Sequence, residues 1–262
     1  MGLLLSHKRK LRVWSDMLSV SGLSEGDRSG GGKRGDVQVF SKASRYRMFQ
    51  ELHKLQFEKV TFVTLTYPAQ FPTSSKVYKG HLKEWRRRFE GLFGAIPAMW
   101  RLEFQERGAP HFHIMYLDCP FIPVWDLCYL WKSVTHTYDM AHEQNGVDLK
   151  LIVDGKEQAL IAFYLAKYIA KVDERSQENG TNHVGRWWGK WNVVIPEPFE
   201  CEVSDWEAER IVGLALSSRV SNSRWRPSDP TFCSIFGDCM GSGLFGEFIR
   251  RYQAISGCTQ RP

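Results

Sequence analysis

The chain has no cysteine pair at metal-ribbon spacing. Its six cysteines, Cys119, Cys128, Cys201, Cys233, Cys239 and Cys258, are scattered without a C-x-x-C. That excludes a zinc ribbon and gives no support to a disulfide framework, so reduced thiols are expected. No apolar run is long enough to span a bilayer, and no membrane segment is expected. The opening Met1-Gly2-Leu3-Leu4-Leu5-Ser6 matches a myristoylation pattern; it is too short for a signal h-region and is read as fortuitous. A Walker A loop is missing as well. Gly30-Gly31-Gly32-Lys33-Arg34 resembles one, but Asp27 stands where the first glycine belongs and Arg34 where Ser or Thr must follow, which excludes an ATP-driven helicase domain. No internal repeat is apparent.

What is present points to an anionic partner. Across 262 residues the net charge is +6, with 13% aromatics. Lys and Arg release counterions from phosphates, and aromatic faces stack bases. A composition of 43% hydrophobic and 24% charged residues is that of a globular chain able to bury a core. Residues 1–35, basic at Lys8 to Arg12 and then rich in Ser and Gly, are expected to be a flexible tail. A catalytic domain is expected over residues 36–200, and a helical or irregular extension over 201–262.

Within the central part, periodicity gives the elements. Helical spacing runs from Ser44 through Tyr46, Phe49, Leu52 and Gln56, and a β-branched strand from Val60 to Tyr67 stops at Pro68. Leu82, Trp85, Phe89 and Leu92 mark the core side of a helix over 78–93. Segments 98–106 and 111–118 alternate around Arg107-Gly108-Ala109-Pro110, a hairpin signature. A helix opens at Pro123 and runs to about Tyr138, and a strand spans Val147 to Val153. Asp154-Gly155 turns into a further helix. The order β-α-β-β-α-β-α predicts an α+β fold, a central antiparallel sheet with helices packed on one side.

Two constellations carry chemistry. In the last of these helices, Tyr164, Lys167, Tyr168 and Lys171 share one side. At about 100° per residue, Tyr168 falls about 40° from Tyr164, with Lys167 near roughly 300° and Lys171 near roughly 340°. Ala159, Ala162, Leu165, Ile169 and Ala170 take the other half. Tyrosine nucleophiles beside cations suit phosphoryl transfer. The second constellation is His111-Phe112-His113. Strand alternation sends both imidazoles to one face, and Glu103 on the neighbouring strand can lie opposite them. Two imidazoles and one carboxylate suit a divalent ion with open coordination positions.

These blocks resemble the HUH endonucleases, named for two histidines flanking a hydrophobic residue. Phe62 to Tyr67 is similar to their first motif, Glu103 to His113 to the metal-binding second, and Tyr164 to Lys171 to the Tyr-x-x-Lys third. Phe40 to Arg45 and Gly185-Arg186-Trp187-Trp188-Gly189 are similar to further blocks of rolling-circle replication initiators of the filamentous-phage gene II and microvirus gene A type. The resemblance covers about residues 36 to 196.

The resemblance implies a site-specific single-strand DNA endonuclease that initiates rolling-circle replication. Mg²⁺ or Mn²⁺ held by Glu103, His111 and His113 would polarise a phosphate. Tyr168 or Tyr164 would attack it, giving a 5′-phosphotyrosine link and a 3′-OH primer that the same site can rejoin, with Lys167 and Lys171 easing the charge. Expected partners are single-stranded origin DNA and a host helicase and polymerase, and the expected place is a bacterial cytoplasm. A relaxase or two-tyrosine transposase would use the same chemistry, and a non-catalytic binding module is the reading from another class. Arg45, Arg47, Arg86, Arg87 and Trp188 are candidate DNA contacts, with surface charge or core packing an equal alternative.

Overall fold

The computed structural model of the chain describes residues 8–14, 16–23, 40–137, 145–153, 184–217, 227–229 and 233–236. In chain order these form β1 (Lys8–Val13), β2 (Met17–Gly22), α1 (Lys42–His53), β3 (Lys59–Thr66), α2 (Ser75–Phe93), β4 (Ala98–Phe104), β5 (Pro110–Leu117), α3 (Val124–Thr135), β6 (Val147–Val153), β7 (Trp188–Trp191), β8 (Phe199–Ser204), α4 (Asp205–Ser217) and β9 (Cys233–Phe236). The class is α+β, as expected, with two antiparallel sheets and four helices among the described residues. The expected helix carrying Tyr164, Lys167, Tyr168 and Lys171 lies outside them. The chain divides into two units, residues 33–48 with 57–194 and residues 1–32 with 49–56 and 195–262.

The larger unit is built on a five-stranded sheet in the order β6-β3-β5-β4-β7, every described pairing antiparallel. β3 is Val60, Thr61, Val63 and Thr64 interleaved with Phe62 and Leu65, residue types whose branched or flat side chains pack well on a pleated surface. It lies inside the sheet between β5 and β6, with Lys59, Thr64 and Thr66 half-buried and the other five residues buried. β4 and β5 are joined by the predicted tight turn. Gly108 takes φ 79°, a left-handed conformation that glycine adopts at little cost. The Gly108 N–H donates to the Gln105 carbonyl at 2.8 Å, and Gln105 N–H to the Ala109 carbonyl at 3.0 Å.

Alternation splits the sheet into two faces. One carries Phe112, Ile114 and Tyr116 of β5 and receives α2 through Tyr78, Trp85 and Phe89. The Trp85 indole N–H donates to the Tyr116 hydroxyl at 3.0 Å, and Phe89 stacks on Tyr116 with centroids 4.2 Å apart. α3 joins α2 here, its Trp131 edge-on to Trp85 at 5.9 Å and donating to the Thr66 carbonyl at 2.7 Å. Full burial of aromatic side chains of this size contributes on the order of 1.5–3 kcal/mol each. The other face carries Glu103, His111 and His113. Helices do not keep to one side: Trp188, in register with Arg101 on this second face, donates to Ser44 Oγ of α1 at 3.0 Å.

In the smaller unit, strands over Lys8–Val13 and Met17–Gly22 stand where a flexible tail was expected within 1–35, and the extension expected to be helical or irregular over 201–262 carries the helix Asp205–Ser217 together with strand residues, Cys233–Phe236 among them. β1 and β2 form a hairpin in a four-stranded antiparallel sheet of order β8-β1-β2-β9. The basic start reads as a tail because its counter-charges lie far along the chain: Lys8 pairs with Glu202 at 3.0 Å, and Lys10 and Arg12 with Glu200 at 2.6 and 2.7 Å. Leu11, Val13, Leu18 and Val20 form the other face, against Ala208, Ile211, Val212 and Ala215 of α4. That helix begins with a capping box. Glu207 carboxylate accepts the Ser204 N–H at 2.7 Å, and Ser204 Oγ accepts the Glu207 N–H at 3.3 Å, satisfying two otherwise orphaned donors.

Candidate functional site

The candidate site lies on the second face of the larger sheet, at the turn end of the β4–β5 hairpin. Register places Glu103 directly opposite His111 and Arg101 opposite His113, so the four share one face. His113 Nε2 lies 3.1 Å from Glu103 Oε2, and the two imidazole rings have centroids 4.6 Å apart. The two paired side chains are nearly enclosed, with exposures of 8% for Glu103 and 13% for His113. A carboxylate this far from water requires a charged or strongly donating partner, and His113 supplies one.

From the other side, β3 holds the histidines in place. Thr64 is in register with His113 and Thr66 with His111. Thr64 Oγ1 lies 3.3 Å from His113 Nδ1, and Thr66 Oγ1 lies 3.2 Å from His111 Nε2. A hydroxyl either donates or accepts, so each ring keeps its orientation in either tautomer. These threonines contact both histidines, and the sequence alone marks them only as strand formers. The available signal was their alternation with Val63 and Leu65, which puts both on the histidine face. Asp148 and Lys150 of β6 register with Thr64 and Phe62 and bring further charge to that face.

Arg107 is a second missed residue. Its guanidinium donates to the carbonyls of Tyr67 and Pro68 and lies 5.2 Å over the Phe71 ring. It thereby ties the hairpin turn to the end of β3, next to the histidines. Tyr67, buried, pairs with His81 at 2.9 Å; burial drives its phenol pKa up and that of His81 down, so neither is a charged group at neutral pH.

The remaining candidates scatter. Arg86 and Arg87 are on α2, on the opposite face of the sheet, where Arg86 binds Glu90 at 2.7 Å and Arg87 binds Glu84 at 2.6 Å. Hydrogen bonds from Arg87 and Arg88 hold the Glu84 carboxyl down to about 2. These are helix-surface pairs and are not gathered with Glu103, His111 and His113. Arg45 and Arg47 lie on α1, Arg47 exposed, and the Trp188 indole is engaged by Ser44. Tyr164, Tyr168, Lys167 and Lys171 fall outside the described residues.

The donor set of Glu103, His111 and His113 suits a divalent ion by its chemistry. Among the described residues no three His, Cys, Asp or Glu side chains are gathered as a cage; the hairpin supplies adjacency, with Glu103 and His113 sharing a hydrogen bond.

Residues 60–173 match the family model described as replication-associated protein ORF2/G2P. That span takes in β3 from Val60 on, the Glu103 to His113 hairpin and the Tyr/Lys segment together, and it is less than half of the chain. No curated protein and no solved structure matches the chain. No helix among the described residues is long and apolar enough to cross a membrane.

Proposed function

We propose that the chain initiates rolling-circle DNA replication as an HUH-type nickase, cutting one strand at an origin and rejoining ends. The observation that carries this reading is the Glu103–His113 contact of 3.1 Å on the face that also bears His111, within a region similar to a replication-associated family. Glu103, His111 and His113 would hold Mg²⁺ or Mn²⁺. Such an ion, when bound, supplies Lewis acidity at a phosphate oxygen.

The chain's own groups do the rest. Thr64 and Thr66 hold the orientation of the two imidazoles. The Tyr168 or Tyr164 phenol gives up its proton and attacks phosphorus; the Oη–P bond forms as the P–O3′ bond breaks, and the 3′ oxygen takes up one proton in its place, leaving as a hydroxyl. Lys167 and Lys171 stabilise the phenolate and the charge on phosphorus. One phosphodiester replaces another, so the reverse reaction needs no ATP. With two tyrosines, one can cut again while the other is still linked, which suits repeated rounds. The 3′-OH would then serve a host polymerase, with a host helicase opening the duplex in the bacterial cytoplasm.

Covalent adducts on a denaturing gel, formed with Mn²⁺ and single-stranded origin DNA, test the reading. Tyr164→Phe and Tyr168→Phe should each reduce adduct and the double replacement abolish it. Adduct that survives the double replacement, or that forms equally well in EDTA, would overturn it.

A further inference from the structure

On the α2 face of the larger sheet, away from His111 and His113, lies a cleft of about 490 Å³. Five cations line it: Lys76, Lys79, Lys83 and Arg86 along α2, and Arg186 just before β7; no carboxylate does. Residues 76, 79, 83 and 86 follow three- and four-residue spacing and so form one stripe, about 15 Å long at 1.5 Å per residue. Its floor is aromatic. Lys79 Nζ sits 4.6 Å over the Trp100 ring and Arg86 5.7 Å over the Trp191 ring, and both indoles are buried.

Among the described residues this arrangement has little counter-charge. Arg86 has Glu90, but Lys76, Lys83 and the Arg186 side chain pair with no carboxylate among the described residues. Lys79 donates to the Arg186 carbonyl, a neutral acceptor, and burial together with the Arg186 guanidinium lowers its pKa to about 7. Like charges gathered over a low-dielectric floor repel one another, and an anion in the cleft removes that repulsion. The stripe is longer than a single phosphate requires, which favours a chain of phosphates. Because the indole faces are already covered by cations, contact runs through phosphates, and recognition is independent of base sequence.

We propose that this cleft is a second nucleic-acid site, which takes the sugar–phosphate backbone of a single DNA strand on the face opposite the nicking site. The choice of DNA as the polyanion rests on the function proposed above; the anion site itself rests on the cleft. A strand held there stays attached to the protein while the other face works on its target.

The test uses the full chain in EDTA, so that binding is read without cleavage. Fluorescence anisotropy with a labelled oligothymidylate follows affinity against salt. Lys76→Glu, Lys83→Glu and Arg186→Glu combined should weaken binding at least tenfold and reduce the salt slope by about 2, since each single-strand phosphate contact contributes about 0.7. Unchanged affinity and slope overturn the proposal. Against misfolding of that variant, the wild-type chain is acetylated with and without the oligonucleotide and read by mass spectrometry. Protection of Lys76 and Lys83 is the expected result, and its absence overturns the site. Equal protection by thymidine monophosphate at the same phosphate concentration overturns the strand reading in favour of a free nucleotide. Loss of adduct chemistry with intact cleft binding would strike the proposed nickase alone.

Discussion

His113 Nε2 and Glu103 Oε2 lie 3.1 Å apart across the β4–β5 hairpin, one a potential donor and the other an acceptor, both nearly closed to solvent. If this pair holds a divalent ion together with His111, Glu103→Gln removes the charge while keeping the shape. Single-turnover adduct formation should fall at least about 100-fold, on the scale seen when an electrostatic stabiliser is removed. Thermal unfolding gives a second readout. An ion binding only the folded chain contributes about 2.7 kcal/mol at a hundredfold excess over Kd, so Mn²⁺ should raise Tm in the wild type and not in the variant. The same Mn²⁺ shift in both would remove Glu103 from the ligand set.

Thr66 reaches His111 and Thr64 reaches His113 from the neighbouring strand. Partners that orient a ligating imidazole typically cost about 10–100-fold in metal affinity or activity when removed. Thr66→Val keeps the β-branched shape and deletes the hydroxyl. Its Mn²⁺ affinity by titration calorimetry should therefore weaken in that range with little loss of stability, and Thr66→Ser should restore most of it. Wild-type affinity in Thr66→Val would make the hydroxyl a bystander.

Much of the larger unit was legible because its signals are local. Val60 to Thr66 is β-branched and ends before Pro68, Gly108 and Pro110 mark the hairpin, and Leu82, Trp85 and Phe89 repeat at helical spacing. The histidine face followed from alternation alone. The smaller unit was illegible for the opposite reason. Lys8, Lys10 and Arg12 find Glu200 and Glu202 from 188 to 194 residues away, and no local pattern reports such a pairing. β7 was hidden differently. Trp188 reads equally as a DNA contact or as core packing, and nothing local shows that Trp191 is an edge-strand residue against Trp100, with centroids 6.3 Å apart. Among the site residues, Thr64 and Thr66 were masked by their strand propensity.

Gly189 of β7 has no room for a side chain: a Cβ there would meet Trp100 Nε1 at 2.8 Å and Cε2 at 2.9 Å. Trp100 is buried and cannot swing away freely. Gly189→Ala should therefore destabilise the chain by about 1–3 kcal/mol, the usual cost of overpacking a core, measured as a lower urea midpoint. Because Trp100 also floors the basic cleft, the same variant should weaken oligothymidylate binding. A midpoint equal to that of the wild type would mean that β7 shifts without cost.

The capping box at the start of α4 is a test of the smaller unit. Ser204→Ala removes the acceptor for the Glu207 N–H, a loss of about 1 kcal/mol for an N-cap of this kind. The denaturation midpoint followed at Trp206, next in line on this helix, should fall accordingly. A larger effect would mean that Ser204 also supports β8, where it pairs with Lys8.

Lys79 provides the pH dependence. Its pKa in the folded chain is lowered to about 7, first by burial and then by Arg186, whereas an unfolded lysine titrates near 10.5. Between these values the unfolded chain binds the extra proton, so stability rises with pH through that window, by up to about 1.4 kcal/mol per pH unit for one proton. Below about 7 both states are protonated and the contribution is flat, with the charged form at its least favourable. Lys79→Met keeps the length and apolar stem without the charge. Its stability between pH 7 and 10 should lack this rise, measured by urea unfolding at each pH, while the wild type shows it. Anions that enter the cleft favour the ammonium, so saturating oligothymidylate should push the onset of the rise to higher pH in the wild type and leave the Lys79→Met profile unmoved. Identical profiles for the two proteins without ligand would mean that the Lys79 ammonium is solvated in the folded chain.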